Sequence, residues 1–190
     1  SSRLGVGNSR FHYGGSAGPS DTVYLGVFRR SALDRVGGFD ETLLRNQDYE
    51  LNWRLCHCGG EVWSALRMGV PCRPRPSLRA LASQYRQYGT WKRVMLKRHP
   101  RSLRARQLVA PVMVVGVTGT AAVAAWTEDP RWLLPAVTYA AAVTVGGLAA
   151  GRSAPTVSRI RVPAALAVMH WAWGLGFLFG RPVPPPVAED

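Results

Sequence analysis

The sequence has 190 residues, with 24 Lys or Arg and 11 Asp or Glu, and a net charge of +13. Residues 1–106 contain 19 basic and 7 acidic side chains, whereas residues 107–190 contain 5 and 4. No Arg/Lys repeat, zinc finger or RNA-binding aromatic motif accompanies this charge, which argues against nucleic acid as the partner. A basic half joined to an apolar half instead predicts a protein that faces anionic lipid headgroups.

The first half reads as a short series of alternating elements. Residues 3–20 are rich in Gly and Ser and predict a loop, and the β-branched and aromatic residues of 22–28 predict a buried strand. A short helix is predicted at residues 30–36 and an amphipathic helix at residues 46–58. A Gly-Gly pair follows each of them and is typical of a helix end. Residues 61–65 predict a second strand. This order fits the closing part of an α/β layer.

Three cysteines lie in this half. Cys56, His57, Cys58 and Cys72 could in principle offer four zinc ligands. Cys-x-Cys is tighter than the usual zinc knuckle, and residues 55–58 should continue the predicted helix. We therefore expect free cysteines at the helix end rather than a metal site.

Residues 77–106 predict a basic amphipathic helix and a linker. Apolar side chains recur at helical spacing from Leu78 to Met95, with Arg and Lys around them. Such a helix directly before a membrane segment should lie in the plane of the membrane interface. The alternative is an ordinary core helix with a solvated charged face.

Residues 107–190 predict a membrane domain. The segments 107–126, 132–150 and 162–179 contain no Asp, Glu, Lys or Arg. Each has the length that a helix needs to cross about 30 Å of hydrocarbon. A short Pro-rich tail follows them.

The charges of the connecting segments predict an orientation. Basic residues precede the first membrane segment and lie between the second and third, whereas Glu128 and Asp129 lie between the first and second. The positive-inside rule then predicts a multi-pass protein of the cell membrane, with residues 1–106 in the cytoplasm and the C-terminus outside. The N-terminus has no signal peptide and no initiator Met, so we expect a fragment.

Three motifs in order carry a resemblance to a known family. They are Gly-Gly-Phe-Asp-Glu at 37–41, Gln-Asp-Tyr-Glu-Leu-x-x-Arg at 47–54, and Gly-Gly-Glu-Val-Trp at 59–63. Together they resemble the second half of family 2 glycosyltransferases, particularly the membrane-bound branch that builds succinoglycan-type exopolysaccharides. The resemblance covers roughly residues 5 to 98. It implies that residues 1–76 are the C-terminal portion of a GT-A-type α/β domain.

The resemblance implies that Asp48 is the catalytic base. In the family, the Asp of a Glu-Asp or similar pair at a helix N-terminus takes the proton of the acceptor hydroxyl. Gln47 stands where Glu is common and becomes a candidate substrate contact. A helix N-terminus should keep Asp48 ionised. Glu50 could orient substrate or pair with Arg54 one helical turn later, and we expect the ion pair.

A second family signature, Gln-x-x-Arg-Trp, is matched in part. Gln87 and Trp91 correspond to its Gln and Trp, but Thr90 stands where Arg belongs. Arg86 or Lys92 could supply the cation that a diphosphate leaving group requires. Trp91 could stack on a sugar or anchor in the lipid headgroups.

The remaining site predictions concern the donor and the segment 21–26, which resembles the family strand beside the acceptor site and is called the acceptor strand. The resemblance suggests Asp21 as a substrate contact and Gly26 as a position that leaves room for substrate. The chain lacks an Asp-x-Asp motif and a nucleotide-binding strand–loop–helix. A divalent metal, Mg²⁺ or Mn²⁺, is implied for the full-length enzyme, with its main ligands in a missing N-terminal half.

These observations predict the acceptor-side half and membrane anchor of an inverting glycosyltransferase, inactive as this fragment. It would move a sugar from a nucleotide-sugar to a lipid-linked or polysaccharide acceptor. One alternative is a processive polysaccharide synthase, for which three membrane helices are few. The other is a non-catalytic membrane adaptor with a basic lipid-binding face.

Overall fold

The structure is a computed structural model that describes residues 17–20, 23, 26–65, 75–153 and 155–183. The described part of the chain is mostly helical. Strands β1 (Gly18–Pro19) and β2 (Trp63–Ser64) pair antiparallel, with Gly18 opposite Ser64. The amide of Ser20 donates to the carbonyl of Val62 at 2.8 Å and extends this ribbon by one bond.

Two helices lie between the strands, as the sequence predicts. Helix α1 (Arg30–Val36) ends at Gly37, whose φ of +80° is a conformation that glycine adopts without a Cβ clash. Helix α2 (Gln47–His57) begins after Asn46, which has a φ of +64°. Asparagine is among the few residues that tolerate this left-handed region.

The strands differ from the sequence prediction. The second predicted strand is reduced to the two residues of β2, and residues 18–19 form β1 within the predicted loop. Most of the predicted strand at 22–28 lies outside the described residues, and residues 26–28 are not in a strand. A two-stranded ribbon is too small to be an α/β layer. The described residues thus form no clear GT-A domain, and that assignment stays a prediction.

Helix α3 (Leu78–Arg98) is the predicted basic helix. It begins at Ser77, whose Oγ accepts a hydrogen bond from the amide of Ala80 at 3.2 Å. This side-chain cap satisfies one of the four free amides of the first turn. Its basic side chains and its length agree with the prediction for residues 77–97.

Three helices are long and apolar enough to cross a membrane, as the sequence predicts. They are α4 (Val109–Thr127), α5 (Leu134–Ala150), which continues a 3₁₀ turn at Pro130–Leu133, and α6 (Thr156–Phe179). Helix α6 begins six residues before the predicted segment and includes Arg159 and Arg161. Long cationic side chains can lie beside apolar surface while their charge reaches water, so a helix can extend past its uncharged stretch.

The membrane helices pack through small residues. Gly147 of α5 lies against Pro163 of α6, and Gly174 of α6 lies against Ala110 and Val114 of α4. The C-terminal end of α6 therefore lies beside the beginning of α4. In a simple up-down-up bundle these two ends would be on opposite faces of the membrane.

Candidate active site

Asp48 lies in the first turn of α2 and is exposed. Its Oδ1 accepts a hydrogen bond from the amide of Tyr49 at 2.8 Å. Within the described residues Asp48 forms no ion pair. The carboxylate is therefore accessible from solvent.

Glu50 has the opposite environment. It is 1% exposed, and the Arg54 guanidinium donates to both of its oxygens, from Nε at 2.6 Å and from Nη2 at 2.7 Å. A bidentate pair of this kind fixes both side chains. The pairing predicted from the spacing of Glu50 and Arg54 is confirmed.

Arg54 also connects α2 to the turn that follows α1. Its Nη2 donates to the carbonyl of Gly38 at 2.7 Å, and its Nη1 donates to the carbonyl of Val36 at 2.5 Å. The Gly-Gly motif supplies one backbone acceptor for this arginine, and the last residue of α1 supplies the other. The arrangement gives Glu50 and Arg54 a structural role.

His99 completes the environment of Glu50 and is a residue that sequence reasoning missed. Its Nε2 is 2.8 Å from Glu50 Oε1, and its ring lies 4.4 Å from the ring of Trp53 between centroids. Trp53 in turn stacks on His57 at 4.7 Å. His99 follows α3 and lies far from α2 in sequence, so no periodicity or spacing could have indicated the contact.

An open cleft of about 370 Å³ lies over this cluster. Its charged lining groups are paired: Glu50 with Arg54 and His99, and Asp40 with Arg98. Partial burial raises the pKa of Asp40, but hydrogen bonds from the Thr42 hydroxyl and amide and from Arg98 outweigh it. The pKa of Asp40 therefore lies below its ordinary value of 3.8.

The chain just before Asp48 contacts α3. Arg45 Nε donates to Gln87 Oε1 at 3.2 Å, and Asn46 Nδ2 donates to the carbonyl of Tyr88 at 3.4 Å. The Arg45 guanidinium also lies 6.0 Å from the centroid of the Tyr88 ring. Two predicted site segments, the start of α2 and Gln87 of α3, are thus brought together.

Lys92 adds a second contact between these helices. It is 5% exposed, and its Nζ lies 3.8 Å from the centroid of the ring of Tyr49, the residue after Asp48. The same Nζ is 3.4 Å from the sulfur of Met95. A cation held over an aromatic face is favourable, so Lys92 helps to hold the first turn of α2 on α3.

The other candidates on α2 and α3 differ in exposure. Arg86 and Gln87 are exposed and Gln47 is half-buried, whereas Trp91 is 6% exposed. Stacking on a sugar or anchoring in headgroups would require an accessible indole. For Trp91 these roles stay predictions that need a rearrangement of the observed packing.

The two candidates from the acceptor strand, Gly26 and Asp21, have no described contact with this site. Gly26 is exposed, and a Cβ built there would meet atoms of Phe28 and Val23 from its own segment. Asp21 lies outside the described residues. Both assignments stay predictions.

The cysteines are only partly described. Cys56 and Cys58 are free and exposed, at and just beyond the end of α2, and Cys72 lies outside the described residues. Among the residues that the structure describes, no group of three or more His, Cys, Asp or Glu could hold a metal ion. The divalent metal with ligands elsewhere in a longer enzyme stays a prediction.

Comparison with known proteins finds a relative among curated proteins. Over 180 residues the chain is 30% identical to the succinoglycan biosynthesis protein ExoA of Rhizobium meliloti (strain 1021), covering 93% of this chain and 52% of that protein. No protein-family model and no solved structure matches the chain. The chain is thus a distant relative of ExoA and spans about half of its length.

Proposed function

We propose that this chain is the acceptor-side part and membrane anchor of an inverting family 2 glycosyltransferase. It would transfer a sugar from a nucleotide-sugar to a lipid-linked or saccharide acceptor in exopolysaccharide biosynthesis. The observation that carries the proposal is the contact of Arg45 and Asn46 with Gln87 and Tyr88. It holds the residues just before Asp48 (the Asp48 turn) against α3, the helix that precedes the first membrane helix. Similarity to a protein of succinoglycan biosynthesis supports it.

Asp48 is the carboxylate of α2 that suits a general base. Glu50 is buried and its oxygens are occupied by Arg54 and His99, whereas Asp48 is exposed. A general base must approach within hydrogen-bonding distance of the proton that it removes. Exposure at the start of α2 allows that approach.

The proposed reaction is a single displacement at the anomeric carbon. Asp48 takes the proton of the acceptor hydroxyl, and the acceptor oxygen forms a bond to the anomeric carbon from the face opposite the leaving group. The bond from that carbon to the diphosphate oxygen breaks, and its electron pair leaves with the nucleotide diphosphate. Exposed Arg86 is a cation that could stabilise this anion.

The donor site would lie outside this chain. The relative is about twice as long as the aligned region, so a further half could bind the nucleotide-sugar and the divalent metal. This division predicts that the chain alone does not catalyse transfer. The acceptor and the membrane would be the partners of the part described here.

The test is the Asp48→Asn substitution in the full-length protein in native membranes. Loss of the base should lower transfer by about 10²–10⁴-fold while nucleotide-sugar affinity stays unchanged. Asp34→Asn is the matched control, because Asp34 is an exposed helical carboxylate paired with Arg30 on α1. Undiminished transfer by the Asp48 variant would refute the proposal.

A further inference from the structure

The last turn of α6 is bound by side chains of α3. Arg93 Nη1 donates to the carbonyl of Leu178 at 2.5 Å, and its Nη2 donates to the carbonyl of Gly180. Thr90 Oγ1 lies within hydrogen-bonding distance of two carbonyl oxygens, that of Arg86 on α3 at 2.9 Å and that of Gly176 on α6 at 3.1 Å. The final carbonyls of a helix lack intrahelical donors and carry partial negative charge, so an arginine is a fitting partner for them.

Glycines let the two helices approach at this point. A methyl group at Gly89 of α3 would overlap the carbonyl oxygen of Trp173, and one at Gly176 of α6 would overlap the carbonyl oxygen of Arg86. Backbone lies against backbone here, and an added side chain could be accommodated only by moving a helix. The contact therefore defines where α3 lies on α6.

The same helix carries the contacts with the Asp48 turn. Gln87 and Tyr88 hold Arg45 and Asn46, and Gln87 precedes Arg93 by six residues, about 9 Å along the helix axis. Gln87 and Arg93 lie on one continuous helix, Leu78–Arg98. A shift of α3 on α6 would therefore move Gln87 relative to α2.

We infer that Arg93 is a positioning residue, which fixes α3 on the C-terminal end of α6 and thereby holds the Gln87 segment beside Asp48. The inference rests on the proposed function for its effect on transfer. It gives the third membrane helix a part in assembling the site, in addition to membrane anchoring. Arg93 acts through Gln87 and has no assigned contact with the substrate.

The first experiment measures the position of α3 without measuring activity. In the full-length protein, with Cys56, Cys58 and Cys72 replaced by Ser, the pair Arg45→Cys and Gln87→Cys is linked with a short bismaleimide in native membranes. Adding Arg93→Ala should reduce the cross-link yield several-fold, and Arg93→Lys should restore part of it. Arg79→Ala, at an exposed arginine of the same helix, should leave the yield unchanged.

The second experiment uses the protein with its native cysteines and measures transfer. Arg93→Ala should raise the acceptor KM by about tenfold, which corresponds to 1.4 kcal/mol, with donor affinity unchanged. A residue that only stabilised the fold would lower the unfolding temperature without this selective change in KM. An unchanged cross-link yield or an unchanged acceptor KM would overturn the inference.

Failure of the proposed function can be distinguished from failure of the inference about Arg93. If the unsubstituted protein transfers no sugar, the proposed function fails, and the cross-link yield alone still decides whether Arg93 positions α3. If Arg93→Ala does not insert into membranes, Thr90→Val is used, since valine keeps the branched shape but loses the hydrogen bond to Gly176. A smaller fall in cross-link yield supports the inference, and an unchanged yield overturns it.

Discussion

Glu50 Oε1 and His99 Nε2 are 2.8 Å apart, although one belongs to α2 and the other follows α3. Arg54, which Glu50 also binds, donates to the carbonyl of Gly38, so this buried carboxylate connects the Gly-Gly turn to the residue that follows α3. Asp48, two residues earlier, is exposed. The two carboxylates of α2 thus divide into a buried group with two partners and an exposed group.

The substitution Glu50→Gln should destabilise the protein. It leaves the Arg54 guanidinium, whose side chain is 20% exposed, without its anionic partner. Breaking a buried ion pair on one side costs about 3 kcal/mol. The midpoint of urea unfolding of the detergent-solubilised protein, followed by Trp fluorescence, should fall clearly.

Asp34→Asn provides the comparison for Glu50→Gln. It breaks the Arg30–Asp34 pair, whose side chains are 89% and 59% exposed, and exposed pairs contribute little. Its unfolding midpoint should match that of the unsubstituted protein. Equal midpoints for the Glu50 variant would contradict a structural role for this carboxylate.

Asp40 should make stability depend on acidic pH. Its pKa in the folded protein lies below the ordinary 3.8, so the folded state binds this proton more weakly than the unfolded state. The resulting stabilisation is present above the unfolded pKa and is lost as pH falls through the lower folded pKa. The urea concentration at the unfolding midpoint should therefore decrease as the pH is lowered below about 4. This decrease should be less steep in Asp40→Asn.

Thr42→Val provides an independent check on the Asp40 prediction. It removes the hydroxyl that donates to Asp40 at 2.6 Å while keeping a branched side chain. This variant should also show a shallower loss of stability below pH 4. Identical acid profiles for all three proteins would contradict the assignment.

Local patterns predicted the helices, because their signals are contained within a few turns. The Gly-Gly pair after Val36 ends α1, and the spacing of Glu50 and Arg54 predicts their ion pair. Contacts such as Glu50 with His99 join distant parts of the chain, and no local pattern encodes them. The predicted loop at 3–20 also contains β1, because strand pairing depends on a partner more than on composition.

Gly176→Ala should disrupt the packing of α3 on α6. The added methyl group would overlap the carbonyl of Arg86, which is backbone and can yield only if a helix moves. Overpacking of this kind costs about 1–3 kcal/mol. The melting temperature in detergent should fall, and the Arg45–Gln87 cross-link described above should weaken with it.

Gly116→Ala is the matched control for Gly176→Ala. A Cβ at Gly116 of α4 meets no atom within 4 Å, and alanine favours a helix more than glycine does. This variant should melt at the same temperature as the unsubstituted protein or slightly higher. A similar loss of stability in both variants would mean that the α3–α6 contact is not the cause.

The membrane side of the C-terminal end of α6 is the last prediction. The loop charges predict that it lies outside, opposite residues 1–106. The packing of Gly174 on Ala110 and Val114, and of Arg93 on Gly180, instead leads us to expect Val183 on the face occupied by α3. Val183→Cys and Arg104→Cys, each in protein lacking native cysteines, can be labelled with a membrane-impermeant maleimide in vesicles of known orientation.

Labelling of both cysteines from the same side would support the packing, since a direct contact between α3 and the end of α6 requires one membrane face. Labelling from one side would also mean that α4, α5 and α6 do not each cross the membrane once, because three crossings would place the beginning of α4 and the end of α6 on opposite faces. Labelling from opposite sides would support the orientation predicted from loop charge. It would also contradict the Arg93–Gly180 contact, because about 30 Å of hydrocarbon would separate the two residues.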